Sequence, residues 1–240
     1  MSARAGAAGP TLTSTDLPRG ARAAYAANAV VAWLGVVLTL LISALDGYDR
    51  TRVDPGLYGD TARGLEGAPA RLLDSLSYFT IWSNIVVAIS VTLLLASPLP
   101  RTTARAVLRM AGLLMITVTG IVYQLLLAPT AVVTGWSVLT NPILHVVTPI
   151  LTVLVWLVWG PRGWTSWRIV GLAMLLPLAW IVWMLARGAV IGAYPYGFVN
   201  VGDLGWASVL ATLGQIVVFG IIVGALLHGI DRLLVRLRRR

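Results

Sequence analysis

Residues 75–97 read SLSYFTIWSNIVVAISVTLLLAS, and this stretch decides the fold. It contains no charged side chain, and it is long enough to cross the roughly 30 Å of hydrocarbon in a bilayer as a helix. Its apolar residues run consecutively and do not alternate with polar ones, as the strands of a membrane barrel would require. Five further stretches are similarly long and apolar. The six predicted spans are residues 23–45, 75–97, 106–127, 138–159, 168–186 and 205–230.

The composition agrees with a chain that is mostly embedded in lipid. Hydrophobic residues make up 58% of the 240 residues and charged residues only 11%. The mean hydropathy of +0.85 excludes an ordinary soluble domain. There is no cysteine, so neither a disulfide nor a thiolate-ligated metal can form. The sequence therefore predicts an all-α, multi-pass protein of the cell membrane, folded as a bundle of six transmembrane helices.

The basic residues predict which way the chain crosses the membrane. All 18 are arginine, and the net charge of +9 would suggest a nucleic-acid partner for a soluble protein. In a membrane chain the arginines must first be sorted by side, and 13 of the 18 fall on the side of the N-terminus. Cytoplasmic loops carry the excess of arginine, so both termini are predicted to be cytoplasmic, and no nucleic-acid partner is expected.

The ends of the chain and one long loop complete the predicted organisation. Residues 1–22 hold small residues, proline and threonine without periodicity, which is typical of a disordered tail. Residues 231–240 form a predicted basic cytoplasmic tail. A cleaved signal peptide is the competing interpretation of the N-terminal region, but the apolar stretch from residue 23 is too long for one. Residues 46–71 are the longest connection and are predicted to face outside.

Polar side chains concentrate at one depth of the predicted bundle. Ionisable groups inside a span are costly and usually functional, and His145 lies well inside the fourth span. Thr80 lies at a similar depth of the second span, and at 1.5 Å per residue both fall roughly 10 Å below the outer surface. Ser83 and Asn84 share a helix face with Thr80, and Asn141 precedes His145 by one turn. We therefore predict one polar pocket in the outer leaflet.

Further polar groups reach a similar level from other parts of the chain. Tyr123 and Gln124 lie near the outer end of the third span and are candidate supports of the pocket. The loop before the sixth span adds Tyr194, Tyr196, Asn200 and Asp203. Taken singly, these groups have ordinary structural interpretations, because a membrane threonine usually bonds the carbonyl one turn back and a histidine can be satisfied within the bundle.

Metal and cofactor chemistry is not indicated. No second histidine, cysteine or carboxylate accompanies His145 at its depth. His228 lies near the opposite membrane face, too far away to share an ion or a haem with it. The sequence also lacks a glycine-rich phosphate loop, an HExxH motif and a GxSxG motif. We expect no metal and no cofactor.

Four segments, taken in order, resemble a known family. They read YFTIWSNIVVAI, MITVTGIVYQLLLAP, LHVVTPILTVLVWLVWGPRG and RGAVIGAYPYGFVNV. Together they resemble the bacterial six-helix Pr6Pr membrane proteins, over about residues 25–230. That family in turn resembles the androgen-induced membrane proteins of animals, which hydrolyse fatty acid esters of hydroxy fatty acids with an intramembrane Thr and His. The resemblance implies that the matching residues here are Thr80 and His145.

The implied chemistry is hydrolysis of a lipid ester inside the membrane. Thr80 would be the nucleophile and His145 its general base, while Asn141 would orient the imidazole. Ser83 or Asn84 would donate to the developing oxyanion. The expected partners are membrane lipids, including a fatty-ester substrate. Two alternatives remain open: a non-catalytic lipid-binding or interaction protein, in which the polar cluster only ties helices together, and a small-solute transporter.

Overall fold

The computed structural model describes residues 18–49, 54–97, 102–129 and 131–238. Within these ranges the chain folds into seven α-helices. They are α1 (Ala21–Ala44), α2 (Ala68–Leu76), α3 (Phe79–Ala96), α4 (Thr103–Leu127), α5 (Ser137–Trp159), α6 (Trp167–Ile191) and α7 (Val201–Leu237). All except α2 are long and apolar enough to cross a membrane, which confirms six predicted helices. Residues 1–17 of the predicted disordered tail and residues 239–240 of the predicted basic tail lie outside the described residues.

The helix ends differ from the predicted spans at three places. The stretch 75–97 breaks between α2 and α3, where the carbonyl of Ser77 accepts a hydrogen bond from Trp180 Nε1 at 2.9 Å. Helix α6 continues beyond residue 186 to Ile191, because Arg187 forms an ion pair of 2.6 Å with Asp74 that lets the helix carry a charge. Helix α7 continues to Leu237, so residues 231–237 are helical.

Helix α4 lies at the centre of the bundle. It contacts α3, α5, α6 and α7, and its residues 110–116 are all buried, so this segment is surrounded by protein on every face. Helix α1 packs along α3 and also meets α5. Helix α7 approaches α6 closely at Gly224, where a Cβ atom would come within 2.8 Å of Val170 Cγ1. Small residues at such crossings let membrane helices pack backbone to backbone.

The bundle has two unlike ends. The loop-rich end is formed by the connections from α1 to α2, from α4 to α5 and from α6 to α7. The arginine-rich end is formed by the start of α1, the connections from α3 to α4 and from α5 to α6, and the end of α7, and it carries nine of the twelve arginines that the structure describes. Arg109, in the second turn of α4, is only 3% exposed. None of its guanidinium nitrogens has a hydrogen-bond partner among the described residues.

Two sets of backbone contacts organise the loop-rich end. The buried guanidinium of Arg71 donates to four backbone carbonyls, those of Ser43, Ala44, Ala62 and Gly64. The second set joins the loop before α2 to the loop after α6, since Tyr58 N donates to Tyr194 O at 3.0 Å and Tyr194 N donates to Gly56 O at 2.8 Å. Tyr194 packs on Gly188, where a Cβ atom would lie 2.1 Å from its ring. These contacts hold the loop after α6 over the beginning of α3.

Candidate functional site

Thr80 and His145 meet beneath the loop-rich end. Thr80 lies in the first turn of α3 and is 6% exposed, and His145 lies one turn beyond Asn141 in α5. Thr80 Oγ1 and His145 Nε2 are 3.0 Å apart, within hydrogen-bond distance. The structure therefore brings together the two residues that were matched by depth in the sequence.

The second ring nitrogen of His145 fixes the direction of this hydrogen bond. His145 Nδ1 lies 3.1 Å from the backbone carbonyl oxygen of Asn141, and a carbonyl oxygen can only accept, so Nδ1 carries a proton and donates it. In the neutral ring Nε2 is then an acceptor, and the hydroxyl of Thr80 donates to it. This is the arrangement in which an imidazole can take a proton from a hydroxyl group.

His145 lies in a wide helical turn. Residues Ile143–Val147 form a π-helical segment of α5, between Pro142 and Pro149, which lack the N–H groups that an α-helix needs at those positions. A second π-helical segment, Tyr123–Leu127, ends α4. The two segments face each other, because the rings of Tyr123 and His145 are stacked with centroids 4.1 Å apart and an angle of 21° between their planes. Such segments are frequent at functional sites.

Asn141, Tyr123 and Gln124 take different positions around the imidazole. Asn141 orients the ring through its backbone carbonyl, whereas its side-chain amide donates to the hydroxyl of Tyr123. The sequence thus identified the residue but not the atom that holds the ring. Tyr123 is buried against the ring. Gln124 is exposed, and its side chain is not among those that line the cavities at the site.

Ser83 and Asn84 are buried, and their donors are occupied. Ser83 Oγ donates to the carbonyl of Thr80 at 2.8 Å and accepts from Thr119 Oγ1 at 2.8 Å. Asn84 Nδ2 donates to Thr80 O at 2.8 Å and to Leu144 O at 3.3 Å. Neither side chain therefore has a donor free for an oxyanion, which is a correction to the role expected from the sequence. They fix the backbone of Thr80 and join α3 to α4 and α5.

Tyr196 places a phenol hydroxyl beside Thr80, a contact that the sequence analysis did not assign. It belongs to the loop between α6 and α7, and its hydroxyl is 3.5 Å from Thr80 Oγ1. Its ring is stacked on Phe198 and meets Tyr78 edge to face, so its orientation is set by packing. Burial raises the pKa of the Tyr196 phenol, which therefore stays protonated and able to donate near neutral pH. The only sequence signal was its position in the YPYGF loop at the same level.

A polar chamber leads from the loop-rich end to the Thr80–His145 pair. Its volume is about 520 Å³. Its walls include four carboxylates, those of Asp46, Asp49, Asp54 and Asp74, and it reaches both Thr80 and His145. The chamber therefore provides a route for water and for a polar part of a ligand.

An apolar slot lies on the other side of the same pair. It is narrow, with a volume of about 60 Å³, and lies among α3, α4, α6 and α7. Its walls are almost entirely apolar, and they include Leu114, Met174, Ile181, Phe198 and Val217. Thr80, His145 and Tyr196 line both the slot and the chamber. The pair thus lies at a boundary between a polar and an apolar compartment.

Six long apolar helices that enclose a polar site define a polytopic integral membrane protein. No family model, no curated protein and no solved structure matches the chain. Among the residues that the structure describes, no group of three histidine, cysteine or acidic side chains is arranged to hold a metal ion.

Proposed function

We propose that this protein is a membrane-embedded hydrolase of fatty-acid esters, with Thr80 as the nucleophile and His145 as the general base. The observation that carries the proposal is the 3.0 Å contact between Thr80 Oγ1 and His145 Nε2, with Nδ1 bound to the carbonyl of Asn141. A threonine hydroxyl is a weak nucleophile until a neighbouring base accepts its proton. The resemblance to the Pr6Pr and androgen-induced membrane proteins assigns the same two residues.

The proposed reaction uses one acyl-enzyme intermediate. Thr80 Oγ1 attacks the ester carbonyl carbon while His145 Nε2 takes the hydroxyl proton. Tyr196 donates a hydrogen bond to the oxyanion that forms. We assign this role to Tyr196 because its hydroxyl lies 3.5 Å from Thr80 Oγ1. The C–O bond of the ester then breaks, and the leaving alcohol receives the proton from His145. Water, deprotonated by His145, attacks the acyl-threonine and releases the carboxylic acid and free Thr80.

The two compartments support an amphiphilic substrate. In the proposed complex the acyl chain enters the apolar slot, and the alcohol part lies in the polar chamber with the water that completes the reaction. By the positive-inside rule we place the arginine-rich end, with both termini, in the cytoplasm. The pair then lies in the outer leaflet, at the level of the ester bonds just below the headgroups.

The test uses the detergent-purified protein with a fluorophosphonate probe and a panel of long-chain fatty-acid esters. The wild type is expected to be labelled and to release fatty acid, and Thr80→Val and His145→Gln are expected to lose both activities. Thr117→Val is the matched control, because the one bond of Thr117 Oγ1 within the described part of the chain goes to the carbonyl of Leu113, at 2.7 Å. Retention of the native elution profile and helical circular dichroism shows that each variant is folded.

Two outcomes would overturn the proposal. If folded Thr80→Val protein hydrolyses the esters as fast as Thr117→Val, Thr80 is not the nucleophile. If the folded wild type neither reacts with the probe nor hydrolyses any ester of the panel, the result favours a non-catalytic lipid-binding protein. The bound lipid would then be identified by mass spectrometry of the purified protein.

A further inference from the structure

A second polar groove lies at the arginine-rich end, away from the Thr80–His145 pair. It has a volume of about 470 Å³ and lies between the beginning of α6 and the end of α7. Arg232 and Arg236 line it from α7, and Ser166 and Trp167 line it from α6. We call this cavity the basic groove. Its position at the opposite end makes it independent of the proposed hydrolase chemistry.

The two arginines of the basic groove lie side by side. They are four residues apart on α7, so their side chains emerge from the same helix face. Both are exposed, and neither forms an ion pair or a hydrogen bond with any residue that the structure describes. Like charges at this spacing repel each other and destabilise a helix. A bound anion would remove that repulsion.

The nearest carboxylate cannot serve as that anion because it is already engaged. Asp231 is fully buried. It accepts from Thr165 Oγ1 at 2.8 Å and from the backbone N–H of Gly163 at 3.1 Å. Asp231 does not line the basic groove, and no acidic side chain does so among the described residues.

The wall of the groove is held in place by the same network. A carboxylate can only accept, so the hydroxyl proton of Thr165 goes to Asp231. The oxygen of Thr165 then accepts from His228 Nδ1, 2.8 Å away. The ring of His228 also meets Trp167 edge to face, with centroids 5.1 Å apart. The groove therefore exists without a ligand and does not have to be formed by one.

Apolar side chains continue the groove towards the middle of the membrane. Trp167 is 66% exposed and is of the residue type that marks the level of lipid headgroups. Leu226, Ile230 and Leu233 are exposed along α7, next to the basic groove. An anion with acyl chains would use both surfaces, whereas a free anion would use only the arginines.

We propose that the basic groove binds the phosphate headgroup of an anionic phospholipid. The phosphate oxygens accept from Arg232 and Arg236, whose planar guanidinium groups suit paired hydrogen bonds to phosphate. The glycerol region lies against Trp167, and an acyl chain follows the exposed apolar residues of α7. Basic pockets at the ends of membrane helices are suited to such headgroups because each arginine near the surface adds to the attraction.

The test is native mass spectrometry of the full chain in detergent, titrated with phosphatidylglycerol or with phosphatidylcholine of the same acyl chains. The wild type is expected to bind phosphatidylglycerol more tightly. The double variant Arg232→Gln/Arg236→Gln is expected to lose about 10-fold or more in that affinity. Arg19→Gln/Arg22→Gln removes the same charge from the same end of the bundle, at the start of α1, and is expected to bind as the wild type does.

Three outcomes would overturn the proposal. Equal affinity of the wild type for the two lipids would show that the groove does not recognise an anionic headgroup. An equal loss in both double variants would show that net charge, and not the groove, attracts the lipid. Displacement of phosphatidylglycerol by inorganic phosphate at equal concentration would identify a site for the free anion, because the acyl chain would then contribute nothing.

Discussion

A threonine contacts a histidine at each end of this bundle, but the two hydrogen bonds run in opposite directions. At the loop-rich end Thr80 donates to His145 Nε2, because His145 Nδ1 is bound to a carbonyl. At the arginine-rich end Thr165 donates to Asp231 and accepts from His228 Nδ1. The third group at each end, the Asn141 carbonyl or the Asp231 carboxylate, therefore decides the direction of the threonine–histidine hydrogen bond. A carbonyl behind the ring leaves the imidazole able to take a proton, whereas a carboxylate beside the threonine ties the same two residue types into a structural support.

The largest expected effect separates the two threonines by activity. Thr80→Val should lower the rate of ester hydrolysis by about 10⁴-fold or more, because it removes the proposed nucleophile. Thr165→Val should leave that rate unchanged, because Thr165 lies at the other end of the bundle and lines none of the cavities described above. The measurement is the release of fatty acid from the ester that the wild type hydrolyses fastest. Equal rates of hydrolysis in Thr80→Val and Thr165→Val would show that the two threonine–histidine pairs do not differ in function.

The next effect tests whether Tyr196 completes the loop-rich site. Tyr196→Phe should lower kcat by about 10²- to 10³-fold with a smaller change in KM, because an oxyanion donor acts mainly in the transition state. Tyr48→Phe is the matched control, since Tyr48 also lines the chamber but donates to Thr140 Oγ1 at 2.9 Å. A Tyr196→Phe enzyme with full kcat would remove Tyr196 from the mechanism.

A third effect concerns the carboxylate at the arginine-rich end. Asp231→Asn should lower the free energy of unfolding by about 1–3 kcal/mol, because an amide nitrogen would face the donors of Thr165 or Gly163. Thermal unfolding followed by circular dichroism measures the change, with the exposed Asp60→Asn as control. The rate of ester hydrolysis at a temperature where both are folded should not change. A loss of activity without a loss of stability would contradict a purely supporting role at this end.

The smallest effect tests whether Ser83, beside Thr80, stabilises the fold or takes part in catalysis. Ser83→Ala should cost about 1 kcal/mol of stability, because it removes the bond to the Thr80 carbonyl and the partner of Thr119. Ser90→Ala is the control on the same helix, since among the residues described Ser90 Oγ bonds Val87 O alone, at 3.0 Å. The rate of ester hydrolysis should change little in either variant. A 10²-fold or larger fall in Ser83→Ala alone would restore Ser83 as an oxyanion donor.

The sequence predicted the helices and placed Thr80 and His145 at one depth because both depend on simple distances. A span needs a fixed length of apolar residues, and equal depth in two spans places two side chains at one level. The orientation of Gln124 could not be predicted in this way. It lies in a π-helical segment, and an extra residue in a turn rotates the side chains that follow it away from their α-helical faces.

Other parts of the site depend on information that periodicity does not carry. Tyr196 reaches Thr80 from a loop, and its position follows from the pairing of Tyr58 with Tyr194, which joins residues far apart in the chain. Ser83 and Asn84 were placed on the correct face of α3, but the choice between a backbone carbonyl and a substrate as their partner is made by atomic distances. Sequence spacing identifies which residues share a site, and the hydrogen-bond partners of each atom decide what those residues do.

The four carbonyls held by Arg71 have a consequence for how a ligand binds. Ordering a flexible backbone costs about 1–2 kcal/mol per residue. When a loop must close over a ligand, this cost makes the free energy of binding less favourable. Here one buried guanidinium joins the end of α1 to the loop before α2, so this wall of the chamber is preorganised before a ligand arrives. A ligand that contacts this wall therefore binds without the cost of ordering it.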